Sequence, residues 1–114
     1  MVPTPEDGEK VVLHAAFTAR PGHEDELTAL MAGMATDVRA EPGNVVFEPY
    51  VERDRPAHWF VYEVYRDQAA FRAHIGAAYG AVFNARLNEV IEEDGSQLTF
   101  LRRAGPAGGE LGPG

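Results

Sequence analysis

The feature that most narrows the possible folds is the order in which the hydrophobic period changes along the chain. "KVVLHAAFTAR" alternates with a period of two, with Val11, Leu13, Ala15 and Phe17 on one side and Val12, His14, Ala16 and Thr18 on the other. This predicts a strand with two usable faces. In "PGHEDELTALMAGMATDVRAEPG" the period becomes helical. Leu27, Leu30, Met31, Met34 and Val38 recur along one stripe behind an acidic first turn of Glu24, Asp25 and Glu26. An amphipathic helix from about 23 to 40, closed by Pro42 and Gly43, is expected. "NVVFEPYVE" and "HWFVYEVY" return to β-branched and aromatic residues, and the polar link "RDRPA" between them suits a hairpin. Pro49 has no N–H to donate, which argues for an edge strand or a bulge there.

Asp67 is placed to cap a short helix over "QAAFRAHIG". Beyond a break at Gly76 or the following alanines, "AAYGAVFNARLNEVIEE" carries Tyr79, Val82, Phe83, Leu87, Val90 and Ile91 as one stripe. A turn at Asp94 and Gly95 leads into a last strand, "GSQLTFLRR". The order strand, helix, strand, strand, helix, strand in 114 residues, the length of one domain, favours an α+β ferredoxin-like sandwich. Its four-stranded antiparallel sheet would carry the helices on one face. The other face would be bare, yet apolar residues occur in both parities of the middle strands, Val45 and Phe47 against Val46 and Tyr50. Exposed apolar patches of that size mark partner surfaces, so sheet-to-sheet homodimerisation of the dimeric α/β barrel type is expected.

Composition excludes several function classes. A net charge of −8 repels phosphate backbones and anionic lipid, which argues against nucleic-acid and membrane-surface partners. There is no cysteine, hence no disulfide, thiolate nucleophile or cysteine metal site. The start "MVPTPEDGEK" lacks the basic and apolar regions of a secretory signal, so a cytoplasmic address is the expectation. Residues 1–9 and 104–114, rich in glycine and proline and poor in apolar residues, read as flexible tails around one domain at 10–103.

Four stretches carry a family resemblance: "ARPGHEDEL" after the first strand, "AEPGN" before the second, "FVYEVYRDQAAFRAH" from the third strand into the next helix, and the closing amphipathic helix. Together they span about residues 10 to 103, and the chain resembles the antibiotic biosynthesis monooxygenase family of small dimeric ferredoxin-like proteins. That family includes cofactor-independent oxygenases of quinols and polyketide aromatics, haem-degrading enzymes, and an isomerase of a phosphorylated autoinducer sugar, so the resemblance speaks to fold more than to chemistry. In a gapless match the haem branch's strand asparagine falls on Ala15. The second histidine of the quinol-oxidising and isomerase branches falls on Tyr79, in "AAY".

The resemblance puts His74 and Asn44 beside a pocket. An imidazole exchanges protons near neutral pH and suits removal of a phenolic or enolic proton, while a helix-end histidine satisfied by solvent is the plainer alternative. The Asn44 amide can donate to an oxyanion, or merely shape the turn after Gly43. Tyr79 joins them as a hydrogen-bond partner in the catalytic set. Trp59, Tyr62, Tyr65 and Phe83 offer aromatic walls for a flat substrate, with Met31 and Met34 as an adaptable roof, although such residues also fill cores. Glu63 is expected to make a structural hydrogen bond or ion pair, and His14 to face the dimer partner. Arg72 and Arg86 suit an anion or solvent. His14, His23, His58 and His74 have no metal-ligand spacing.

The leading expectation is therefore a cofactor-independent monooxygenase that uses molecular oxygen on a small phenolic, quinol or polyketide-like aromatic. Two alternatives stand beside it, an isomerase of a small hydroxyketone and a non-catalytic dimer that binds a small hydrophobe.

Overall fold

The structure, a computed structural model, describes residues 9–105. The tails expected at 1–9 and 104–114 lie outside the described residues except for Glu9, Ala104 and Gly105. The elements are β1 (Val11–Thr18), α1 (Glu24–Arg39), β2 (Asn44–Val51), β3 (His58–Tyr65), α2 (Gln68–Ile75), α3 (Ala78–Val90) and β4 (Gln97–Leu101). They form one antiparallel sheet in the order β2-β3-β1-β4 with the helices packed on one face, the ferredoxin-like α+β sandwich that the period changes imply.

Each element follows from local chemistry. Gly22, with φ 88°, takes the left-handed conformation that turns the chain from β1 into α1. The α1 stripe buries Leu27, Met31, Ala35 and Val38 against the sheet. Leu27, Met31 and Val38 each contribute roughly 1.5–3 kcal/mol by this burial. Asp67 caps α2 by accepting the Ala70 N–H at 2.8 Å. Gly43 is required by close approach, because a methyl there would collide with Ala70 Cβ.

The α3 stripe differs from expectation in two residues, Val82 and Ile91, the second of which lies past the helix end. Val82 is 74% exposed. It lies roughly 100° around the helix from the stripe of Phe83, Leu87 and Val90, too far to reach the sheet at 3.6 residues per turn. Pro49 sits on an edge strand, as its missing N–H demands. The irregularity in β2 lies instead between Asn44 and Val46. Past α3, Ile91 is fully buried and bridges Ala19, and the Glu93 carboxylate accepts Thr18 N–H and Oγ1–H at 2.7 and 2.8 Å.

Strand alternation sorts the side chains onto two faces. Leu13, Ala15 and Phe17 point under the helices together with their cross-strand partners Glu63, Val61 and Trp59. His14, Tyr62 and Phe60 point the other way. That second face has no helix on it, and Tyr50, Phe60 and Leu101 are 52%, 39% and 43% exposed there. Among the described residues no helix is long and apolar enough to cross a membrane.

Candidate functional site

Between sheet and helices lies a cavity of about 380 Å³. Its sheet side is formed by Leu13, Ala15, Phe17, Phe47 and Val61, all small or apolar. Met31 and Met34 from α1, Phe71 from α2, and Phe83 and Leu87 from α3 close it from above. Asn84, Asn88 and Ser96 stand at its edge. The volume falls within the range of small-molecule sites, and the lining is of the mostly apolar kind that holds an aromatic ligand.

Two ionisable groups enter this apolar space. Glu63 faces inward from β3, and the residue is buried. His74 reaches the same wall from the last turn of α2. Its Nε2 lies 4.0 Å from Glu63 Oε1, a gap too long for a direct hydrogen bond. On the far side of the ring, Nδ1 lies 3.0 and 3.2 Å from the two carboxylate oxygens of Glu41, in the turn between α1 and β2. Tyr79 of α3 donates its hydroxyl to Glu41 Oε2 as well. The imidazole also packs on the Tyr65 ring, 4.7 Å between centroids.

Burial, above all, pushes the Glu63 carboxyl above its ordinary range, and the Glu41 charge adds to this. The Tyr65 hydrogen bond and the His74 charge pull back, without reversing the shift. Tyr65 Oη donates to Glu63 Oε1 at 2.7 Å. Burial, followed by the charge and hydrogen bond of Glu63, drives the Tyr65 phenol far above its usual value, and Asn44 offsets this only in part. Tyr65 therefore stays protonated and remains a donor. The arrangement can take a proton at an apolar ligand's oxygen and can offer a carboxyl group beside it.

The residues singled out from sequence separate into five groups. His74, Met31, Met34 and Phe83 all line the cavity. Tyr65 and Tyr79 sit one step behind, Tyr65 hydrogen-bonded to Glu63 and Tyr79 to Glu41. Trp59 shares the covered face but stacks on Phe17, 6.1 Å between centroids, outside the cavity lining. Tyr62 lies on the opposite face, paired across strands with His14 and Glu48. Asn44 spans the β2 irregularity, its Nδ2–H donating to Val46 O at 3.0 Å, in a shallower depression beside Arg39.

Glu41 escaped the sequence reading because it looks like a solvated residue of the "EPG" turn. The available signal was an acidic residue placed immediately before a Pro-Gly turn that the fold folds back over α2. Glu63 makes the expected structural hydrogen bond and in addition faces the cavity. Among the described residues no group of three histidine, aspartate or glutamate side chains could hold a metal ion.

Comparison with known proteins gives a consistent picture. The family model for antibiotic biosynthesis monooxygenase matches residues 10–86. The chain is similar to Rv0793 from Mycobacterium tuberculosis, with 27% identity and TM-score 0.78 over 87% of this chain and 99% of that one. SO0527 from Shewanella oneidensis is 26% identical with TM-score 0.73 over 83% and 91%. A mutant of SnoaB, a cofactor-independent oxygenase from Streptomyces nogalater, shares the fold at 21% identity and TM-score 0.74 over 84% and 94%. A search of curated proteins finds no match.

Proposed function

Since the chain belongs to the antibiotic biosynthesis monooxygenase family, we propose that it is a cofactor-independent monooxygenase of a small phenolic, quinol or polyketide-like aromatic. The observation that carries this reading is His74 Nε2 beside Glu63 at the wall of a mostly apolar cavity. SnoaB, a cofactor-independent oxygenase of the same fold, supports it.

Nε2 takes the proton of a phenolic or enolic hydroxyl, giving an imidazolium and a delocalised substrate anion. The Glu63 carboxyl lies next to that anion and supplies a hydrogen bond while protonated. The electron-rich anion then passes an electron to molecular oxygen. Oxidation of an anthrone balances without any outside reductant, because a CH2 group plus O2 gives C=O plus water. Met31, Met34, Phe71 and Phe83 hold the rings and keep water from the anion. Tyr79 acts through Glu41 in this scheme and does not touch substrate.

Isomerisation of a hydroxyketone would draw on the same acid–base pair. The cavity wall contains neither lysine nor arginine, however, and it does contain a carboxyl group, so it is poorly suited to a phosphorylated substrate. The active unit is a homodimer formed through the open sheet face. This is supported by the exposed Tyr50, Phe60 and Leu101, and by His14 Nδ1, a buried atom with no hydrogen-bond partner among the described residues.

The test is oxygen uptake with a panel of hydroquinones and anthrones, without added flavin or metal, with product analysis repeated under argon. Oxygen-dependent turnover that is lost in His74→Ala is expected. Uptake no greater than in that variant, or turnover that persists without oxygen, contradicts the assignment.

A further inference from the structure

His74 stands between two carboxyl groups that differ in position. Glu63 lies on the cavity side, 8% exposed at its side chain, and Glu41 on the outer side at 17%. The groups facing the ring are Glu41 from the turn before β2, Glu63 and Tyr65 from β3, and Phe71 from its own helix, with Tyr79 of α3 reaching it through Glu41. A carboxylate has only lone pairs to offer. Both oxygens of Glu41 lie within hydrogen-bonding reach of Nδ1, and one of them also accepts the Tyr79 hydroxyl. Nδ1 must therefore carry a hydrogen to satisfy the contact. A neutral ring with its hydrogen on Nδ1 leaves the lone pair on Nε2, the nitrogen that faces Glu63 and the cavity.

We propose that Glu41 is a positioning residue, held in place by Tyr79, which fixes the hydrogen of His74 on Nδ1 and so makes the cavity-side Nε2 the proton acceptor. The role in turnover rests on the monooxygenase reading, but the tautomer does not. When Nε2 takes the substrate proton, the ring becomes an imidazolium with Glu41 already hydrogen-bonded to its outer N–H. The new positive charge is thus stabilised without any rearrangement of the protein. The same geometry explains why a tyrosine at position 79 is compatible with function. It completes the support of the carboxylate that supports the histidine.

Two arms test this. The first is nitrogen-15 NMR of the imidazoles in the ligand-free protein at pH 7.5, with His23 and His58 as internal references for an intact fold. A neutral His74 with hydrogen on Nδ1 is expected, converting in Glu41→Gln to a form with hydrogen on Nε2 or to a mixture, and shifting less in Tyr79→Phe. Hydrogen on Nε2 in the native protein, a doubly protonated ring at that pH, or a spectrum unchanged by Glu41→Gln would each overturn the proposal. The second arm is kinetic. Glu41→Gln should lower kcat at least about tenfold while KM stays within about twofold, since the residue acts on the base and not on binding. A KM change with kcat preserved would also overturn it. If the tautomer is found as stated but no substrate is turned over, the monooxygenase reading fails while the assignment of Glu41 stands.

Discussion

A histidine lies against each face of the sheet, His74 from α2 and His14 from β1, and the two are treated differently. On the covered face, His74 has a carboxylate on one nitrogen, a second carboxyl 4.0 Å from the other, and a tyrosine ring beneath it. On the open face, His14 stacks on Phe60 at 4.6 Å between centroids, and its buried Nδ1 has no hydrogen-bond partner among the described residues. The same residue type is thus completed by the protein's own groups on one side and left incomplete on the other. The covered face gathers groups of one chain around its imidazole, whereas the open face leaves a buried ring nitrogen without a hydrogen-bond partner among the described residues.

That contrast can be broken at several points, beginning with the strongest effect. His74→Gln keeps the size of the side chain and removes the proton acceptor, so kcat in the oxygen-uptake assay is expected to fall on the order of 10²- to 10⁴-fold. A loss below tenfold would move the chemistry away from the covered face. Leu27→Ala, at a fully buried position of α1, is expected to cost about 2–5 kcal/mol in urea unfolding. Phe60→Asp on the open face is expected to shift the protein to monomer in size-exclusion chromatography with light scattering at micromolar concentration. Unaltered dimerisation in this variant would mean that the open face is not the contact.

The smallest effect concerns pH. The folded-state value for Glu63 is raised, so its contribution to stability is fully present below the unfolded carboxyl value of about 4.3 and is lost as pH rises through the folded value. Glu63→Gln removes this loss and retains an acceptor for Tyr65. Its melting temperature should therefore fall less than that of the native protein between pH 4 and higher pH. Parallel curves would mean that the carboxyl is not held above its ordinary range. In the uptake assay the same variant should keep more activity than Glu63→Ala, because its amide still donates.

The fold was legible because period and punctuation act locally. Alternation in β1, the β-branched and aromatic content of β3, the α1 stripe and the Asp67 cap each report burial or hydrogen bonding decided within a few residues. Val82 was misassigned because three positions from Tyr79 is a helical neighbour without being on the buried side. The site was legible only where a side chain's direction follows from its element, as for His74, Phe83 and the two methionines. Glu41 and Glu63 meet the same imidazole across 22 positions of sequence, and beyond the acidic residue before the Pro-Gly turn no local pattern marks that meeting. Asn44 shows the opposite case, where strand-entry chemistry accounts for its observed bond.

The contrast between the faces is tested most directly by methyl NMR of Met31 and Met34 during titration with hydroquinones and anthrones under argon. Both methionines line the covered cavity, and shifts of their methyl signals together with the His74 ring are expected, with Tyr50 and Phe60 unchanged. Shifts confined to the open face, with both methionine methyls unmoved across the panel, would contradict a substrate site beneath the helices.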